Sequence, residues 1–93
     1  MAVRTVHVMI SGRVQGVGYR AWTADEAVAR GLSGWVRNRR DGGVEAVFSG
    51  QAATVDAMVA ACSGGPPLAA VRAVDAEERE LAEEGAFRVL PTV

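Results

Sequence analysis

The order of two hydrophobic periodicities constrains the fold of this chain more than any other feature. Residues 4–11 are rich in β-branched side chains and place apolar residues at every second position, which is typical of a strand. Residues 21–30 are helix formers that stop at Gly31, a residue type common just after a helix. Residues 12–20, between them, contain three glycines and predict a loop. The chain therefore begins with a strand, a loop and a helix.

The middle of the chain predicts a β-hairpin. Residues 34–40 and 44–49 have strand character, and Asp41-Gly42-Gly43 between them is a strong turn signal. The two strands are therefore expected to pair in antiparallel fashion.

The last third predicts a second helix and two more strands. Residues 52–62 have the i, i+3, i+4, i+7 spacing of a helix, with an apolar face made of Val55, Met58, Val59 and Cys62. Residues 69–76 predict a strand that runs into an acidic stretch, and residues 86–90 predict a short final strand. Cys62 is accordingly expected in the core.

The resulting order is β-α-β-β-α-β with a short extra C-terminal strand. This order of elements favours an α+β ferredoxin-like sandwich, in which an antiparallel sheet carries both helices on one face. With 93 residues, the chain is expected to form a single domain over residues 1–93. Many functions occur on this fold, so the function must come from the site.

Composition excludes several classes of protein. There is no apolar run long enough to span a bilayer and no signal-peptide core, so we expect a cytoplasmic protein without a membrane partner. The net charge of −1 does not indicate a nucleic-acid partner. The single cysteine agrees with a reducing compartment, and Cys62 with His7 cannot build a zinc site within one chain. A monomer without a metal is expected.

Charge is divided unevenly along the chain. Residues 1–40 contain seven arginines and two acidic residues, whereas residues 41–93 contain three arginines and nine acidic residues. Solvated faces would explain this distribution, and so would a local positive field that attracts an anion. Arg37, Arg39 and Arg40 are expected at a solvated edge, where they could also steer an anion.

The loop between the first strand and first helix is the strongest chemical signal. Glycine-rich backbone can form an anion-binding concavity, the following helix adds its positive end, and the Arg20 guanidinium suits bidentate phosphate binding. The chain has no lysine for a Walker A motif, its glycine spacing does not fit the dinucleotide fingerprint, and Cys62 is followed six positions later by Leu68 instead of a phosphatase arginine. A different kind of phosphate cradle is indicated.

Three segments resemble the acylphosphatase family, in the right order and over nearly the whole chain. The signature loop is similar to Gly12-Arg13-Val14-Gln15-Gly16-Val17-Gly18-Tyr19-Arg20. The second signature is similar to Gly34-Trp35-Val36-Arg37-Asn38 with Asp41-Gly42 and Val44-Glu45, and Gly65-Pro66-Pro67 with Ala70 and Val71 matches a further family element.

The resemblance implies a small, stand-alone, cofactor-independent and metal-independent hydrolase of acyl phosphates. It implies phosphate binding by Arg20, water positioning by Asn38, and a phosphate-cradling backbone at Gln15, Gly16, Val17, Gly18 and Tyr19. Taken alone, Arg20 could instead pair with Asp25, and Asn38 could be a turn residue. The substrate partner would be a small acyl phosphate.

Two other functions are alternatives to hydrolysis. RNA-recognition domains share this strand and helix order, but residues 44–48 offer one aromatic and one acidic residue where such domains stack bases on several aromatics. A domain that binds or senses phosphate or carbamoyl phosphate with little turnover is the alternative to the enzyme.

Overall fold

The computed structural model describes residues 2–93. The elements are strands β1 (Val3–Arg13), β2 (Ser33–Asn38), β3 (Val44–Gln51), β4 (Ala70–Glu78) and β5 (Arg88–Val89), and helices α1 (Tyr19–Ala29) and α2 (Ala52–Cys62). The predicted order of elements is confirmed, and the fold is the predicted ferredoxin-like α+β sandwich.

The five strands form one sheet in the order β4-β1-β3-β2-β5. The pairs β1–β3, β1–β4 and β2–β3 are antiparallel, as predicted. The short last strand differs, because Val89 of β5 pairs in parallel with Val36 of β2. The sheet is therefore mixed at one edge, where the prediction had it antiparallel throughout.

The core lies between the helices and one face of the sheet. The alternation predicted for β1 places Val6, Val8 and Ile10 on that face, each almost fully buried. The helices add further buried residues, among them Tyr19, Ala27, Val55, Met58 and Cys62. Burying an aliphatic or aromatic side chain of this size stabilises the fold by about 1.5–3 kcal/mol, so this layer is what holds the helices in place.

Two element boundaries at the loop differ from the prediction. β1 continues two residues further, because a bulge between Ser11 and Gly12 lets the strand keep its pairing with β4. Gly12 has φ 116°, and a Cβ there would come within 2.4 Å of the Ala70 carbonyl oxygen, so only glycine fits. α1 begins at Tyr19, two residues earlier than predicted, which brings Arg20 into the first turn of the helix.

Candidate active site

The loop between β1 and α1 is shaped by two glycines. Gly16 has φ 72° and Gly18 has φ 80°, and a Cβ at either position would meet open space. These positions therefore favour glycine because the backbone is left-handed, and not because a side chain would clash. Left-handed turns of this kind are found in backbone concavities that bind anions.

The loop opens onto a cleft of about 380 Å³. The residues that line it are Val14, Gln15, Gly16, Gly18, Tyr19, Arg20, Ala21, Asn38 and Val89. Of the predicted site residues, Val17 does not line the cleft, and its side chain packs against the core instead. The structure thus brings Arg20 and Asn38, eighteen positions apart in the chain, to one cavity.

The first residues of helix α1, Tyr19, Arg20 and Ala21, line this cleft. Gly18 precedes the helix without a side-chain cap, and the first turn contains no acidic residue. The first amide groups of a helix have no partner within it and carry its positive partial charge. The end of α1 is therefore suited to an anion.

Arg20 lies half-buried in the first turn of α1. The ion pairs formed among residues 2–93 do not include Arg20, so the pairing with Asp25 that the sequence left open does not occur. Its guanidinium remains free to meet a ligand in the cleft.

Asn38 is the last residue of β2 and pairs with Val44 of β3. Among the described residues, its Oδ1 is a buried side-chain oxygen without a hydrogen-bond partner. The turn contact that Asn38 could have made is made by Asp41, whose Oδ1 accepts a hydrogen bond of 2.9 Å from the Gly43 amide. A buried acceptor of this kind costs roughly 1–3 kcal/mol unless something donates to it, which marks the position for a donor such as water.

Tyr19 lines the cleft, but its hydroxyl is engaged with helix α2. The ring is almost fully buried, and the hydroxyl donates a 2.6 Å hydrogen bond to the Cys62 carbonyl at the end of α2. Burial raises the pKa of this hydroxyl well above its ordinary value. Tyr19 therefore links the start of α1 to the end of α2 and stays protonated.

Sequence reasoning missed the side chain of Gln15. Its Nε2 donates to the carbonyl oxygens of Arg39, at 2.6 Å, and Gly43, at 2.8 Å. The partners are backbone atoms 24 and 28 positions away, and no pattern of residue types predicts such a contact.

Arg37 and Arg39 do not simply lie at a solvated edge. Both donate to Glu45 Oε1, at 2.7 and 3.0 Å, and His7 Nε2 lies 2.6 Å from Glu45 Oε2. Burial alone would raise the pKa of Glu45, but the hydrogen bonds from these three residues outweigh it and lower the pKa to about 2. This cluster lies on the sheet face opposite the helices.

No group of three His, Cys, Asp or Glu side chains suited to a metal ion occurs in the part of the chain that the structure describes. Within residues 2–93, no helix has the length and apolar character needed to cross a bilayer.

Comparisons with known proteins agree with this fold. The family model for acylphosphatase matches residues 6–89. The chain is 58% identical to an acylphosphatase of Azorhizobium caulinodans over 96% of this chain and 97% of the relative, and 54% identical to one of Bradyrhizobium diazoefficiens over the whole of both. The solved acylphosphatase of Coxiella burnetii superposes with a TM-score of 0.91 at 36% identity, covering 95% of this chain and 93% of that one. The chain belongs to the acylphosphatase family.

Proposed function

We propose that this protein hydrolyses the carboxyl–phosphate bond of acyl phosphates, with Arg20 as the phosphate ligand and Asn38 as the residue that holds the attacking water. Family membership supports the reaction. The observation that carries the residue roles is the buried, unpartnered Oδ1 of Asn38 in the same cleft as an arginine free of ion pairs.

The phosphoryl group would lie against the loop backbone. The backbone amides of the loop residues that line the cleft, the positive end of α1 and the Arg20 guanidinium would neutralise its charge. Most analyses give phosphoryl transfer a loose transition state, so neutralising charge and placing the reactants supply most of the catalysis.

Asn38 Oδ1 would accept a hydrogen bond from water and aim the water oxygen at phosphorus. As that oxygen bonds to phosphorus, the bond from phosphorus to the acyl oxygen breaks and its electron pair leaves with the carboxylate. The conjugate acid of the leaving carboxylate has a pKa of about 4–5, so the carboxylate leaves without a proton and no general acid is required. The proton lost by the water ends on inorganic phosphate or in solvent.

Turnover of benzoyl phosphate by the purified protein, followed by its absorbance, tests the reaction. We expect hydrolysis that persists in the presence of a chelator and is inhibited competitively by inorganic phosphate. Phosphate binding without turnover would support the alternative of a sensing domain. Loss of activity on chelation, with recovery on adding a divalent ion, would overturn the metal-independent mechanism.

We further propose that the protein acts as a monomer in the cytoplasm. One chain supplies both Arg20 and Asn38 to the cleft, which is the arrangement that a catalytically active monomer requires. The buried free thiol of Cys62 suits a reducing compartment. Sedimentation of the active protein tests the monomer, and fractionation of cells with an antibody tests the compartment.

A further inference from the structure

One side chain joins the phosphate loop to the strand end that carries Asn38. Gln15 belongs to the loop, is half-buried and lines the cleft. Its amide group has two N–H donors, and both are used on the carbonyl oxygens of Arg39 and Gly43. Gln15 thus bridges two segments that are separate in the chain.

The two carbonyls stand at the mouth of the β2–β3 hairpin, next to Asn38. Arg39 directly follows Asn38, and Gly43 directly precedes Val44, the residue that pairs with Asn38. The Arg39 amide also donates to the Gly43 carbonyl at 2.9 Å, which closes the hairpin at the same point. Any change in the distance between loop and hairpin therefore changes the distance between the phosphate cradle and Asn38.

We propose that Gln15 is a positioning residue that sets the Asn38 amide at the correct distance from the phosphate cradle. This inference rests on the proposed function, because it matters only if water on Asn38 attacks phosphate in the loop. A displacement of about 1 Å can cost about 100-fold in rate when orientation is lost. Gln15 acts through Asn38 and need not touch the substrate with its side chain.

The chemistry of the contact selects glutamine. Two carbonyl acceptors need two donors at one point, and a primary amide supplies them without charge. Methionine has similar length and no donor. Glutamate has nearly the same shape, but its carboxylate would face two carbonyl oxygens and repel them.

A double-mutant cycle on kcat tests the proposal, with variants Gln15→Met, Asn38→Ala and the pair. We expect Gln15→Met to lower kcat about 10-fold while the inhibition constant of inorganic phosphate changes less than about twofold, since the cradle itself remains. In the Asn38→Ala background, Gln15→Met should change kcat by less than about twofold, because its target is gone. An unchanged kcat in the single variant, or a full effect in the Asn38→Ala background, would overturn the proposal.

Ser33→Ala is the matched control, since Ser33 also donates from its side chain to a distant carbonyl, that of Gly85, but does not line the cleft. It should leave kcat unchanged. Melting temperatures of all variants, measured on the same preparations, separate loss of fold from loss of rate.

Gln15→Glu provides a second readout that a purely structural role would not move. A protonated carboxyl has one donor, so acidification restores one of the two hydrogen bonds. The kcat of this variant relative to wild type should rise as the pH falls through the pKa of Glu at this position, which the facing carbonyls raise. If the kcat of folded Gln15→Glu relative to wild type stayed constant from about pH 4 to about pH 8, the proposal would be contradicted. This result would count even if Gln15→Met failed to fold.

Failure of this inference can be told apart from failure of the proposed function. If wild-type protein does not hydrolyse benzoyl phosphate, or Asn38→Ala is fully active, the function assigned to the cleft is wrong. If Asn38→Ala is impaired and Gln15→Met is not, only the role of Gln15 is wrong.

Discussion

At the scale of the residue, Arg20 and Asn38 have different expected effects on catalysis. Arg20 should act on both bound phosphate and the transition state. Asn38 should act on water and therefore on the transition state alone. Their kinetic signatures can be separated because kcat and the phosphate inhibition constant report different states.

Arg20→Ala and Arg20→Lys should abolish measurable turnover while leaving the fold intact. Lysine keeps the charge but loses the planar pair of donors that matches a phosphate. Arg79→Lys, at an exposed position beyond β4, is the control and should be fully active. An Arg20 variant that keeps more than about a tenth of the wild-type kcat/KM, a loss below about 1.4 kcal/mol, would exclude Arg20 as the main phosphate ligand.

Asn38→Ala should lower kcat about 100-fold or more, about 2.7 kcal/mol, with little change in phosphate affinity. Asn38→Asp should impair both, because its carboxylate faces an anionic phosphoryl group, and the harm should lessen at low pH. The competing view is that Asn38 only supports the hairpin. Asp41→Ala, which removes the turn contact to Gly43, shows what that loss alone does. A lower melting temperature with near-normal kcat in Asn38→Ala would favour the competing view.

At the scale of the element, strand β3 is the central strand of the sheet and pairs with β1 on one side and β2 on the other. Residues on both of its faces are buried. Its helix side carries Phe48, and its opposite side carries Glu45, Val47 and Ser49. A carboxylate on a central strand is tolerated because His7 and two arginines from the flanking segments donate to it. Two of the seven arginines in residues 1–40, Arg37 and Arg39, are thus paired with the buried Glu45.

Glu45→Gln should lower the melting temperature at neutral pH, and the difference from wild type should disappear on acidification. The folded pKa of Glu45, about 2, is below its unfolded value near 4.5, so its contribution is complete above pH 4.5 and is lost as the pH falls toward 2. The neutral-pH loss of unfolding free energy should be roughly 1.5–3 kcal/mol, as for hydrogen bonds to a charged group. Thermal unfolding of Glu45→Gln and of the exposed control Glu77→Gln at several pH values measures it. A difference that persists unchanged at pH 2 would contradict the assignment.

At the scale of the whole molecule, Cys62 reports on unfolding. It is fully buried at the end of α2, and burial raises its pKa to about 11, so the native thiol is neither accessible nor ionised. Reaction with a thiol reagent should therefore require opening of the core. Native protein that reacts as fast as a free thiol would contradict this burial.

The rate at which Cys62 is labelled also reports phosphate binding, and this measurement does not depend on turnover. A ligand of the folded state lowers the open population by the factor 1 + [L]/Kd, so phosphate at ten times its Kd should slow labelling of Cys62 about 11-fold. Arg20→Ala should show no slowing at that concentration. Equal slowing in wild type and Arg20→Ala would mean that phosphate binds elsewhere.

Much of this protein could be predicted from local pattern. The period-two alternation of β1 assigned its buried face, the spacing of α2 assigned Cys62 to the core, and Asp41-Gly42-Gly43 assigned the hairpin. The predicted end of β4, at residue 76, lies two residues before the observed end at Glu78. Acidic residues argue against a strand unless it lies at the edge of a sheet, as β4 does, where carboxylates reach solvent.

Local pattern is thus enough to assign the order of elements, the layer into which they pack and the residue types of the loop. These follow from periodicity and backbone preference, which act between near neighbours in the chain. The parallel pairing of β5 with β2 depends on long-range packing, since Phe87, just before β5, stacks on Phe48 of β3. The same holds for the pairing of Glu45 with His7 and for the hydrogen bonds from Gln15 to the hairpin. Each of these joins groups more than twenty positions apart, and such contacts exist only once the sheet has brought distant segments of the chain together.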